Sequence, residues 1–94
     1  MRLVIFQEED LWVAVCLEHF IGAQADTMEK LKQRLQTAYA AEREDSLART
    51  GIPFGGIMPA PEKFQKMWYA DDRSITRGTI VDKEVVPLDF ELAA

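Results

Sequence analysis

The chain changes period at Asp26. In "FIGAQA" (Phe20 to Ala25) small apolar and polar residues alternate. Beyond Thr27, the residues Met28, Leu31, Leu35, Ala38 and Tyr39 recur three and four apart. Alternation lines one face of a strand, whereas the wider spacing gathers side chains on one side of a helix. A strand therefore ends and a helix begins at "ADT". Asp26 is a good N-cap with Glu29 three positions later, and Thr27 is the alternative cap. The polar side of the helix carries Lys30, Lys32, Arg34, Glu42 and Arg43. Gly51 and then Pro53 bring it to a stop.

Two more strands precede the join. "RLVIFQ" (Arg2 to Gln7) is rich in β-branched and aromatic residues, and so is "WVAVCL" (Trp12 to Leu17). The short stretch Glu8 to Leu11 between them predicts a tight turn and an antiparallel hairpin. In the second strand Trp12, Ala14 and Cys16 share one face, and Val13, Val15 and Leu17 share the other. Both faces are apolar, which predicts a central strand covered on both sides. In the third strand Ile21, Ala23 and Ala25 are small enough for a helix to lie close.

After the helix, "GIPFGGIMPAP" (Gly51 to Pro61) is a loop by its glycines and prolines, yet it is apolar. Ile52, Phe54, Ile57 and Met58 are expected to cover something. "PEKFQKMWYADD" (Pro61 to Asp72) predicts a short second helix, with Phe64, Met67 and Trp68 on one side. Strand character then returns. Gly78 is a candidate turn between Ile75 and Val81. Val86, Leu88, Phe90 and Leu92 alternate with Asp89 and Glu91, and Pro87 points to an edge strand. The expected fold is α+β: one domain over residues 1–94, an antiparallel sheet of three N-terminal strands plus one or two C-terminal strands. A long helix packs on one face and a short helix follows, in the order β-β-β-α-α-β.

Composition limits the function. The formal charge of −5 and the lack of a basic run disfavour direct nucleic-acid binding, which depends on Lys and Arg neutralising phosphates. An acidic balance suits a basic partner. Apolar runs fall short of the roughly 20 residues a membrane span needs. "MRLVIFQEED" lacks a secretory h-region, so a cytoplasmic location is expected. Cys16 is the only cysteine, so a thiolate metal cluster and an internal disulfide are excluded within one chain. No cofactor or metal is expected.

The stretch "VIFQEEDLWVAVCLEHFIGAQADTMEKLKQRLQTAYAAE" resembles the HicB-like antitoxin family. The matching positions are Glu9, Asp10, Trp12, Val13, Ala14, Cys16, Glu18, Gln24, Asp26 and Thr27. The resemblance covers the first half of the chain. Leu11, Leu17 and Ala25 stand where that family commonly has glycine, proline and glycine. The resemblance implies a β-β-β-α-β unit, a partial version of the double-stranded-RNA-binding or RNase H-like arrangement, whose members associate through their sheets. It implies a non-enzymatic antitoxin that covers the active site of a small mRNA-cleaving toxin. Many members add a helix-turn-helix or ribbon-helix-helix. Residues 51–94 offer only one short helix, so DNA binding is not expected.

Three sets of candidate site residues follow. Glu8, Glu9, Asp10 and Glu18 are acids available to a basic partner, or simply solvated side chains of a hairpin. Met58, Phe64, Met67, Trp68 and Tyr69 belong either to the core or to an interface, where such residues are enriched. Cys16 and His19 would form a nucleophilic pair only if a turn after Leu17 brought them together, since a three-residue offset on one strand puts them on opposite faces. The sequence thus predicts a protein-binding inhibitor of HicB type acting on a small basic ribonuclease toxin or another nucleic-acid machine. It is expected to form a homodimer or larger homo-oligomer. The alternatives are a phage-encoded inhibitor of a host defence complex and a small Cys/His enzyme.

Overall fold

Period-two alternation in the first 25 residues becomes an antiparallel meander. β1 (Arg2–Glu8), β2 (Leu11–Cys16) and β3 (Ile21–Ala25) are followed by α1 (Met28–Thr50), α2 (Glu62–Tyr69), β4 (Thr76–Val81) and β5 (Glu84–Pro87). The structure, a computed structural model, describes residues 1–87. Leu88, Asp89, Phe90, Glu91 and Leu92, expected to continue the last strand, lie outside the described residues.

The five strands form one antiparallel sheet in the order β3-β2-β1-β4-β5, so the fold is α+β as expected. β2 is interior, with Ala14 and Cys16 buried on one face and Val15 on the other, but Leu11 at its start stays exposed and the middle position belongs to β1. β5 is an edge, consistent with its proline at position 87.

Gly78 corrects the sequence reading. It is not a turn: it sits buried inside β4, paired with Leu3 on one side and Pro87 on the other. The turn falls at Asp82 and Lys83, both in the left-handed region at φ 49° and 73°. Asp82 is a common first residue of such a turn, but Lys83 stands where glycine is favoured, so the turn signal in the sequence is weak.

Two cores sandwich the sheet. On one face Leu3, Ile5, Ala14, Cys16, Ile21 and Ala25 meet Leu31, Leu35 and Tyr39 of α1. Leu31 and Leu35 are essentially fully buried, worth about 2 kcal/mol each. Ala23 and Ala25 leave room for α1 to lie against β3. Thr27 is the N-cap, accepting from the Lys30 amide at 3.2 Å, while Asp26 pairs with Lys30 Nζ at 3.3 Å. On the opposite face Val4, Phe6, Val15, Leu17, Ala60 and Ile75 meet Phe64, Met67 and Trp68.

α1 spans 23 residues, roughly 35 Å, and sets the 40 Å long dimension of the molecule. Its C-terminal half outruns the strands. The loop after Gly51 folds back beneath it, so that Phe54 reaches Tyr39 at a ring separation of 4.9 Å. Phe54 and Ile57 do cover the core, but Ile52 and Met58 do not, being 62% and 74% exposed. α2 ends at Tyr69 rather than Asp72 because Ala70 is already extended. Arg77 takes the carbonyls of Trp68 and Ala70 at that end. No helix among the described residues is long and apolar enough to cross a membrane.

Candidate functional site

Cys16 projects from β2 into the α1-side core and is fully buried. Desolvation pushes its thiol up to about 12. A nucleophilic cysteine needs the opposite shift. His19 lies in the turn after β2, donates from Nδ1 to the Ile57 carbonyl at 2.8 Å, and stacks on Phe54. Both side chains are thus committed to packing and loop anchoring. Among the described residues no three His, Cys, Asp or Glu side chains gather as a metal-holding group.

Glu18 is drawn inward. Its carboxylate accepts from the Arg2 amide and from Arg2 Nε, each at 2.5 Å. Partial burial pushes the carboxyl up, but these bonds and the guanidinium charge outweigh it and hold the group below its ordinary range. The Arg2 guanidinium lies 5.2 Å from the centre of the Trp68 ring. An open depression of about 520 Å³ adjoins this pair, lined by Arg2, Leu17, Glu18, Pro59, Ala60, Glu62 and Gln65. Its polar groups already have partners: Arg2 and Glu18 hold each other, and Glu62 faces Lys66 at 3.8 Å. The Gln65 amide donates to Leu17 O at 2.7 Å. That leaves little to orient a small polar ligand.

The hairpin acids stand differently. Glu8 closes β1 and Glu9 and Asp10 form the two-residue turn, with Glu9 at φ 56°. All three are exposed, and among the described residues none joins an ion pair. The register brings further acids to this end of the sheet. Asp26 and Glu29 follow β3, and Asp71 and Asp72 precede β4. Of these, Asp26 is paired with Lys30 and Asp72 is tied to Ser74.

The aromatic and methionine segment divides. Phe64, Met67 and Trp68 are half-buried against the sheet, while Met58 and Tyr69 are 74% and 79% exposed. Phe64 sits between Phe6 and Phe20, with ring separations of 6.1 and 5.8 Å. The structure thereby brings Phe64 together with Phe20, which the sequence reading did not single out as a site residue; Leu11, also not singled out, lies on the same side of the sheet at its hairpin end. Leu11 is 37% exposed and faces Glu8 across the hairpin. The signal for Leu11 was the second apolar face of β2, which runs Leu11, Val13, Val15 and on to Leu17; Phe20 lies in the turn that follows. An eight-residue helix is only about 12 Å long, too short to roof that whole face of a five-stranded sheet.

Compared with protein-family models, with curated proteins and with solved structures, the chain matches none.

Proposed function

We propose that this protein is a non-enzymatic inhibitor of HicB type that binds a basic, nucleic-acid-acting protein and covers its working surface. One observation carries the reading: three consecutive carboxylates, Glu8, Glu9 and Asp10, project from a tight hairpin with no ion pair among the described residues. Elsewhere charged side chains are often compensated in place, as in Arg2 with Glu18 and Arg49 with Asp45. An uncompensated acidic knob on a rigid hairpin steers a cationic surface toward it and repels phosphate. The order β-β-β-α and the sequence resemblance of the first half supply the type of inhibitor. A small mRNA-cleaving toxin is the first partner to expect.

The test is affinity purification from cells of the native host, followed by an activity assay on what is recovered. A basic ribonuclease or other nucleic-acid enzyme that loses activity at equimolar inhibitor is expected. Replacing Glu8, Glu9 and Asp10 with lysine should restore that activity. Recovery of no protein partner would overturn the reading.

A further inference from the structure

The acidic hairpin and the uncovered apolar residues lie on the same side of the sheet. Trp12, Ala14 and Cys16 face α1, so Leu11 and Val13 face the α2 side, and Glu8 shares that side through its pairing with Leu11. Phe20 joins them through its ring contact with Phe64. α2 covers the middle of this side: Gln65 reaches Leu17 at its start and Trp68 meets Arg2 toward its end. Ala60 and Phe64 also bury Val15 and Leu17 of β2, and what stays open is the strip along β3 with Leu11 at its hairpin end. There Leu11 and Phe20 are 37% and 48% exposed, and Gly22 leaves a flat floor between them.

We propose that this open strip is a docking shelf for a segment of a partner protein that bears an apolar stripe and, at one end, Lys or Arg. The inference rests on the protein-binding reading above and names the surface that performs it. Charge selects the occupant. The shelf ends at Glu8, Glu9 and Asp10, so a cationic residue beyond the apolar stripe gains three carboxylates. A nucleic acid would bring phosphates to those acids, and a second copy of this chain would bring a second net negative charge. The other uncovered part of the same side, around Val81 and Val86, lacks this rim: its turn holds Asp82, Lys83 and Glu84, of mixed sign. The strip runs the length of β3, about 17 Å, which a helix of roughly 11 residues matches.

The test uses the isotope-labelled full chain and an amphipathic leucine/lysine peptide of roughly 14 residues, with a scrambled peptide of the same composition as control. Amide shifts are expected at Leu11, Val13, Phe20, Gly22 and Gln24. Phe20→Ser and the pair Glu9→Lys with Asp10→Lys should each weaken binding by about tenfold, the second losing most of its salt dependence. Shifts centred on Thr79, Val81 and Val86 or on α1 would overturn the proposal. So would equal binding of the scrambled peptide, or shifts at the shelf that follow protein concentration without peptide, which would mark a second copy as its occupant. A host partner retained at full strength by Phe20→Ser would overturn the shelf and leave the inhibitor reading standing. Failure of the wild-type protein to recover any partner would instead overturn the inhibitor reading.

Discussion

The Phe54 amide donates to Ser46 Oγ at 2.6 Å, and Ser46 Oγ in turn donates to Arg43 O at 3.0 Å. Ser46 is fully buried, so this hydroxyl ties the returning loop to the overhanging part of α1 from inside the core. Ser46→Ala leaves the Phe54 N–H unpaired in the interior. Its cost should be about 1–3 kcal/mol, read as a lower urea midpoint. Thr37→Ala is the control, because Thr37 Oγ1 only bonds back to Gln33 O on the exposed side of the helix and its loss should cost under about 0.5 kcal/mol.

Cys16 should resist alkylation in the native state. With its thiol pushed up to about 12 by burial, almost no thiolate exists at neutral pH. Labelling with iodoacetamide at pH 8 should proceed only as fast as the protein opens, and denaturant should accelerate it steeply. The same shift has a sign for stability. The folded state holds this proton more tightly than the unfolded state, so stability is unaffected below the unfolded thiol's pKa and declines as pH rises toward about 12. Rapid native-state labelling would show that the thiol is accessible.

The Arg2–Glu18 pair should matter on the acid side. Glu18 is held below its ordinary range, so its contribution is present above the unfolded carboxyl pKa and is lost as pH falls through the lower folded value. The side chain is 38% exposed, and solvent limits the effect to about 1 kcal/mol at most. Glu18→Gln should therefore lower the thermal midpoint at pH 7 and flatten its fall between about pH 5 and 3. An unchanged acid limb would mean that the pair contributes nothing.

Lys83→Gly should stabilise the protein by about 1 kcal/mol. Lys83 sits at φ 73° after Asp82 at φ 49°, the two-residue geometry for which Asp-Gly is the favoured pair. The turn is exposed and lies at the sheet edge, so nothing else needs to move. A drop in thermal midpoint would show that the Lys83 side chain has a role the backbone does not reveal.

The first half of the chain was legible because each of its signals is local. The change of period at Asp26 located β3 and α1, and the acids between two apolar runs located the hairpin. Thr27 took the cap over Asp26 because the helix begins at Met28, which puts the Lys30 amide within reach of the Thr27 hydroxyl. What failed depended on distant partners. A strand-interior glycine such as Gly78 looks like a turn until Leu3 and Pro87 are seen on either side of it. Phe54 occupies the left-handed region at φ 63° and is buried, a state no loop sequence announces. Glu18 read as an available acid until the β1–β2 register put Arg2 beside it. The candidate surface was half legible in the same way. The carboxylates are written in three adjacent letters, but their sharing a side with Leu11 and Phe20 follows from where a short helix lands across the sheet.

The position of β1 has a consequence for synthesis. Its first neighbour arrives at once, since Glu8 pairs with Leu11, but its second neighbour is β4, and Leu3 must wait for Gly78. At the usual pace of translation, on the order of 5–20 residues per second, that interval is roughly 4–15 s. Throughout it the middle strand of the finished sheet is an open edge carrying Leu3, Val4 and Ile5. A nascent chain of this design therefore passes through a stage in which its most apolar strand can recruit a stranger's β-strand. Conditions that slow elongation between residues 25 and 79 should raise its aggregation without altering the stability of the finished protein.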